Sequence, residues 1–130
     1  MKLSVIGLGY VGLIQAVGMA KLGYDVIGVD IDEDKVNNVN KKRPPIYEKG
    51  LKELLNDVVP KKLSATVNIK DAILKSEITF ICVGTPSKKQ GEMSLHQLKN
   101  VLEQIGEIIK EKKFHLFVIK STVVPGTCEE

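Results

Sequence analysis

Arginine is nearly absent from this sequence, and its scarcity limits the partners that the protein can have. Only Arg43 among the 19 basic residues is an arginine, and the lysines are scattered along the chain rather than grouped. Nucleic-acid-binding surfaces favour arginine because the guanidinium makes bidentate contacts with bases and phosphates. We therefore expect no nucleic-acid partner, despite the net charge of +3.

Cysteine and long apolar runs are also scarce. The two cysteines, Cys82 and Cys128, lack the spacing of a metal site, so we expect no bound metal and a reduced, cytoplasmic protein. No stretch reaches the ~18 consecutive apolar residues of a membrane span. The N-terminus resembles a signal peptide in having Lys2 before an apolar run, but the glycines that follow would weaken a short apolar helix. We therefore expect no association with a membrane.

The rest of the composition is that of an ordinary globular domain. With 130 residues, 43% hydrophobic and 27% charged, the chain fits one domain over residues 1–130. Predicted strands alternate with predicted helices, which indicates an α/β fold with a Rossmann-type, doubly wound parallel sheet. We expect strands over residues 3–8, 26–29, 64–67, 78–83 and 114–119, and helices over 10–22, 32–39, 51–58 and 69–75.

Two helices have faces that predict how they pack. The small residues of the first helix recur at every fourth position, which predicts a face lying close against the sheet: Gly12, Ala16 and Ala20. A later, long helix is predicted from one apolar stripe formed by Leu95, Leu98, Leu102, Ile105 and Ile109. The chain stops soon after the fifth strand, so we expect a fragment of a longer chain, truncated after about five strands. An unpaired edge strand would make the isolated chain self-associate.

Three glycines follow the first predicted strand, in the stretch VIGLGYVGL over residues 5–13. In a dinucleotide site, the first glycine (Gly7) allows a tight turn, the second (Gly9) lets the backbone approach a pyrophosphate, and the third (Gly12) lets helix and strand pack closely. The N-terminus of the helix then faces the phosphates. Asp30 ends the second strand, close to the separation of about 20 residues expected for the acidic residue that contacts the ribose. The alternative is that the glycines serve helix packing alone.

The charge around Asp30 predicts which dinucleotide binds. Three further acidic residues follow closely, and no arginine is near: Asp32, Glu33 and Asp34. Like charges disfavour the 2′-phosphate of NADP, so we expect NAD to be preferred by about tenfold or more. Lys35 either contacts the ribose or adenine side of the cofactor or is an ordinary solvated lysine.

Hydroxyl groups follow two other strands at their carboxyl ends, where ligands of open α/β sheets bind. Gly84-Thr85-Pro86 follows the fourth strand, and Ser121-Thr122 follows the fifth. We expect Thr85 and Thr122 to face the nicotinamide half of the cofactor. The alternative is that these hydroxyls only bond to loop backbone.

Five stretches, taken together, resemble the UDP-glucose/GDP-mannose 6-dehydrogenase family in order and spacing over nearly the whole chain. They are GLGYVGL (7–13), GVDID (28–32), PPIYEKGL (44–51), FICVGTPS (80–87) and KSTVVPGT (120–127). The family typically has proline where this chain has Lys49, a departure that removes only a rigid turn. VGTPSKK followed by Gly91 is most similar to the GDP-mannose branch.

The resemblance implies an NAD-dependent enzyme that oxidises C6 of UDP-glucose or GDP-mannose to a carboxylate, using two NAD and a cysteine thiohemiacetal and thioester. Besides the glycines, the NAD contacts it implies are Tyr10, Val11, Asp30, Lys35, Thr85 and Thr122. Thr122 has a further, supporting role in positioning a water or the sugar. The family's nucleophile lies in a glycine- and phenylalanine-rich motif beyond residue 130. Cys82 lies in an apolar predicted strand and is expected in the core, and Cys128 lacks that motif. We expect no catalytic residue in this chain, no turnover by it alone, and a homo-oligomer for the full-length enzyme.

Two other functions use the same cofactor site. A non-catalytic NAD-sensing regulatory module would need the glycines and Asp30 but not the segments 84–86 and 121–126. A different NAD-dependent hydroxy-acid or hydroxyacyl dehydrogenase would need a histidine base, for which His96 and His115 are poor candidates. His96 is expected just after the first turn of a surface helix, and His115 at the start of a strand.

Overall fold

The computed structural model describes residues 1–129 and contains five short strands and five α-helices. The strands are β1 (Lys2–Ile6), β2 (Asp25–Val29), β3 (Leu63–Thr66), β4 (Ile78–Ile81) and β5 (Leu116–Ile119). The helices are α1 (Tyr10–Lys21), α2 (Glu33–Asn40), α3 (Leu51–Val58), α4 (Ile69–Lys75) and α5 (His96–Ile108), with a 3-10 turn over Ile109–Glu111. The strands form one parallel sheet in the order β3-β2-β1-β4-β5, which confirms the predicted fold class.

The strand order places a crevice beside β1. From β1 the chain moves outward through β2 to β3, then crosses by α4 to β4 on the other side of β1. Strand order therefore reverses between β1 and β4, and ligands of open α/β sheets bind at the carboxyl ends of the strands at such a point.

The two faces of the sheet have separate cores. On one face, Leu13 and Val17 of α1 pack with Leu55 of α3 and with Val5 of β1. On the other, α4 and α5 pack against residues of β1 and β4, including Ile6 and Ile81. β1 is buried from Leu3 to Ile6, as central parallel strands usually are, and three of its five residues are apolar.

The predicted small-residue face of α1 is confirmed, whereas the stripe predicted for α5 is partly wrong. Gly12, Ala16 and Ala20 are all buried. In α5, Leu98 and Ile105 are buried as expected, but Leu102 is 39% exposed and Ile108 is buried instead. The buried line 98-101-105-108 has helical spacing just as 98-102-105-109 does, and both lines carry apolar residues, so the periodicity does not choose between them.

The two edges of the sheet differ. At β3, the side-chain amide of Asn40 donates to the Ala65 carbonyl (2.9 Å) and accepts from the Ala65 N–H (2.8 Å). These bonds occupy the backbone N–H and C=O of Ala65, with which an added strand would otherwise pair. At the other edge, β5 pairs with β4, and no further strand within residues 1–129 joins it. Self-association of the isolated chain stays a prediction.

A polar network connects three strands at their amino ends. Ser4 and Thr79 are buried, and their hydroxyls lie 2.6 Å apart. Thr79 Oγ1 lies 2.7 Å from Nε2 of His115, whose Nδ1 lies 3.1 Å from the ammonium of Lys112. Because an ammonium can only donate, Nδ1 accepts, and Nε2 carries the proton that bonds Thr79. Burial, and next the charge of Lys112, lower the pKa of His115.

This network predicts a loss of stability in mild acid. The pKa of His115 is lowered in the folded state, so unfolding is accompanied by proton uptake below the ordinary histidine pKa of about 6.5. The stability contributed by neutral His115 is complete above that pH and is lost as the pH falls toward the lowered folded-state pKa. Thermal melts at pH 7.5 and 5.5 should show a larger drop in Tm for the wild type than for His115→Gln. An equal drop in both would contradict this, and His96→Gln, which changes an exposed histidine, serves as the control.

Candidate functional site

The turn after β1 is built for close backbone contacts. Gly7 has a φ of +93°, a conformation that side chains disfavour, and its N–H donates to the Val29 carbonyl of β2 (2.8 Å). A Cβ on Gly7 would lie 2.8 Å from the carbonyl oxygen of Cys82, at the end of β4. The fold itself therefore requires glycine at residue 7. The predicted strand to residue 8 is too long, since β1 ends at Ile6.

Helix α1 crosses directly over this turn. A Cβ on Gly12 would lie 1.7 Å from the carbonyl oxygen of Gly7, a contact with rigid backbone that no small shift can relieve. Gly12 and Gly7 are thus both explained by packing. Gly9 is different, since its φ of −71° suits any residue and a Cβ there would meet nothing within 4 Å. The packing explanation accounts for two of the three glycines and leaves Gly9 facing open space.

The N-terminus of α1 presents free backbone donors beside Gly9. Gly9 is the N-cap residue and provides no side-chain cap, and the first turn carries no acidic residue. The first N–H groups of a helix lack intrahelical acceptors and, together with the helix dipole, favour an anion. Tyr10 and Val11, which begin this turn, are 57% and 51% exposed. This end of α1 has the chemistry of a phosphate site.

Asp30 connects the glycine turn to the end of β2. One carboxylate oxygen accepts from the Leu8 N–H (2.8 Å) and lies 3.5 Å from the Lys35 ammonium, while the other accepts from the Asp32 N–H (3.0 Å). The Asp30 side chain is only 10% exposed. Asp30 therefore holds the turn in place, and Lys35 lies beside it, as the interpretation of Lys35 as a ribose-side contact requires.

The start of α2 adds negative charge next to Asp30. Asp32 caps the helix by accepting from the N–H groups of Asp34 (3.0 Å) and Lys35 (3.2 Å). Glu33 and Asp34 follow in the first turn. Because Asp32 already occupies these donors, a phosphate group has no free helix terminus here and would meet several carboxylates.

The structure brings Thr85 and Thr122 together at the carboxyl ends of β4 and β5. The Thr85 hydroxyl donates to the Thr122 carbonyl (2.8 Å), which is the loop contact that the alternative interpretation predicts. Ser121 acts similarly, since its hydroxyl donates to the Val83 carbonyl (2.6 Å). These bonds fix the two loops against each other.

Sequence reasoning did not find the contact made by Glu48. Its carboxylate accepts a hydrogen bond from the Tyr10 hydroxyl and so joins residues 44–50 to the start of α1. The signal available was the stretch PPIYEKGL, which contains the glutamate but does not show its partner.

Cys82 is part of the core, as expected. It is buried under α1, and burial raises the pKa of its thiol, the opposite of what a nucleophile needs. Within residues 1–129, no three side chains of the metal-binding types are grouped to hold an ion. Nor does any helix in the described part combine the length and apolarity needed to cross a membrane.

The fold and these features define a dinucleotide-binding domain of the Rossmann class. The chain belongs to the UDP-glucose/GDP-mannose dehydrogenase family, whose NAD binding domain matches residues 1–130. The cofactor is accordingly NAD. The open Gly9 backbone, the uncapped end of α1 and the Asp30 carboxylate fit its pyrophosphate and ribose.

Two relatives have the same sequence identity to this chain. GDP-mannose 6-dehydrogenase of Pseudomonas aeruginosa is 44% identical over 129 residues, covering 98% of this chain and 30% of the relative. UDP-glucose 6-dehydrogenase AglM of Haloferax volcanii is also 44% identical, over 128 residues with the same coverage. A crystal structure of a ternary complex of the Pseudomonas aeruginosa enzyme superposes with a TM-score of 0.97, at 43% identity, over all of this chain and 30% of that one. The chain thus spans about a third of the length of these relatives.

The glycine geometry predicts opposite effects of two alanine substitutions in the same helix. Gly12→Ala should destabilise the fold by about 3 kcal/mol or more because the methyl group overlaps rigid backbone. Gly18→Ala is the matched control: a Cβ there meets nothing within 4 Å, so the change should stabilise α1 by about 0.5–1 kcal/mol. Urea denaturation followed by circular dichroism measures both, and a Gly12→Ala protein as stable as the wild type would contradict the packing.

Proposed function

We propose that this chain is the NAD-binding domain of a nucleotide-sugar 6-dehydrogenase, occupying residues 1–130 of a longer enzyme. That enzyme oxidises the C6 alcohol of UDP-glucose or GDP-mannose to a carboxylate with two NAD. Family membership supports the reaction class. The observation that supports the binding function concerns Gly9. No contact within residues 1–129 explains why this position has no side chain.

We propose the following cofactor contacts, each supported by a feature of the site described above. The N–H groups of Tyr10 and Val11 bind the pyrophosphate, which approaches over Gly9. Asp30 accepts from the adenosine ribose, with Lys35 beside it. Gly7 and Gly12 contribute by bringing α1 close to the turn.

Thr85 and Thr122 lie beyond β4 and β5, where the nicotinamide half of the cofactor is expected. Their mutual contact supports a fixed loop pair, and a hydroxyl that donates to backbone can still accept a hydrogen bond from a ligand. Thr122 has a supporting role in positioning a water or the sugar. When bound, NAD supplies the group that accepts hydride.

The remaining proposals concern the whole enzyme. The family resemblance implies that the enzyme's nucleophile lies beyond residue 130, so we expect no turnover by residues 1–130 alone. Cys82 is buried in the core, and the exposed Cys128 lacks the family's motif. The full-length enzyme binds a nucleotide sugar, assembles as a homo-oligomer and works in the cytoplasm.

The alternative dehydrogenase loses support from the positions of the histidines. His115 lies in the network at the amino ends of the strands, opposite the glycine turn. His96 is exposed and is the first residue of α5, whereas the prediction placed it just after the first turn of the helix. The regulatory module loses support because both relatives described above are named as dehydrogenases.

The proposed function predicts that Gly9→Ala folds normally but binds NAD poorly. A methyl group at residue 9 meets no protein atom within 4 Å, yet it would stand between the backbone and the pyrophosphate. We expect the Kd for NAD, measured by calorimetry, to rise about tenfold or more. Tm should fall only slightly, because no clash arises and alanine is merely a poorer N-cap than glycine. Gly18→Ala, the control in the same helix, should bind as the wild type does. If Gly9→Ala keeps full affinity, the glycines serve packing alone.

The acidic surroundings of Asp30 predict cofactor preference. We expect NAD to bind about tenfold or more tightly than NADP, because the 2′-phosphate meets like charges. Asp30→Asn keeps an acceptor for the Leu8 N–H and should narrow the ratio of the two affinities. Asp25→Asn, at the opposite end of the same strand, should change that ratio little. Equal calorimetric affinities of the wild type for the two cofactors would overturn the assignment.

A further inference from the structure

The contact between Tyr10 and Glu48 joins two segments that are 38 residues apart in the chain. Tyr10 is the first residue of α1, immediately after the N-cap Gly9. Glu48 lies in the loop before α3. The hydrogen bond therefore links this loop directly to the turn that carries the proposed pyrophosphate site.

The Glu48 end of the contact is firmly supported. Its carbonyl accepts from the Leu51 N–H (3.2 Å), closing the turn that starts α3. Leu51 and Leu55 of α3 are fully buried in the core that also holds Leu13 of α1. Glu48 is thus attached to a packed helix, and its side chain reaches out from a fixed backbone.

The Tyr10 end has little other support. More than half of the side chain is exposed, and Gly9 contributes no side-chain cap to hold the first turn. Without the bond to Glu48, the ring would be free to move on the surface. Because the ring is attached to the first helical residue, fixing it also limits the motion of the adjoining backbone.

We propose that Glu48 is a positioning residue for the cofactor site, acting through Tyr10 to hold the start of α1 in its binding conformation. The proposal rests on the proposed function, because it assumes that the N–H groups of this turn bind the pyrophosphate. A turn that is already ordered in the free protein loses less conformational entropy when the cofactor binds. Its affinity for the cofactor is therefore higher.

The hydrogen bond persists across the physiological pH range. The Tyr10 phenol donates to a carboxylate, and this bond, together with the negative charge of Glu48, raises the pKa of the phenol. The phenol therefore remains a donor well into alkaline solution. Its titration also provides a spectroscopic signal that reports on the contact itself.

The test uses Glu48→Ala, Tyr10→Phe and the double variant, with NAD affinity measured by calorimetry. Because the pair is exposed, we expect each single change to raise the Kd about three- to fivefold. The double variant should be no worse than either single one, since both remove the same contact. Glu48→Gln retains an acceptor oxygen and should restore most of the affinity. Glu53→Ala removes an exposed glutamate on α3 and is the matched control.

A second readout separates positioning from mere contact. Tyrosinate absorbance reports all three tyrosines, and subtraction of the Tyr10→Phe curve isolates Tyr10. In Glu48→Ala, its pKa should fall toward the ordinary value while Tm stays unchanged. If that pKa falls but NAD affinity does not, or if the two single effects add, the proposal is overturned. Failure of the wild type to bind NAD would instead contradict the proposed function.

Discussion

The close approach of α1 to the turn after β1 is the constraint on which the rest of the site depends. The helix passes so near the turn that only a hydrogen atom fits between Gly12 and the carbonyl of Gly7. This approach brings the first turn of α1 to the carboxyl edge of the sheet, beside the end of β4. A side chain at Gly12 would push the helix outward and carry the free N–H groups away from Asp30.

Asp30 serves the fold before it serves any ligand. Its carboxylate accepts from the backbone on both sides, at Leu8 in the glycine turn and at Asp32 at the start of α2. The same carboxylate is the one that we propose accepts a hydrogen bond from the ribose. A carboxylate already fixed by two backbone donors and one lysine needs little rearrangement when a hydroxyl arrives, which favours binding. The charge that holds the turn is thereby also the one that we propose selects the cofactor.

Much of this arrangement could be predicted from the sequence, because it depends on local rules. The alternation of strands and helices, the glycine spacing and the position of Asp30 each follow from backbone geometry within a short segment. The partly wrong stripe of α5 shows where such rules stop. Leu102 and Val101 are both apolar, and only tertiary packing decides that Val101 contacts the core while Leu102 is exposed. Glu48 and the His115 network could not be predicted because their partners are distant in sequence.

Asn40 makes the two edges of the sheet different. One side-chain amide imitates a neighbouring strand at Ala65, taking both the donor and the acceptor that a real strand would use. A single residue thus blocks the edge of β3 at Ala65. A strand that paired there would first have to displace the Asn40 amide. A further strand would meet no such obstacle at β5, on the side of the crevice where Thr85 and Thr122 meet. A strand added at that edge would therefore lie on the same side of β1 as the two threonine loops.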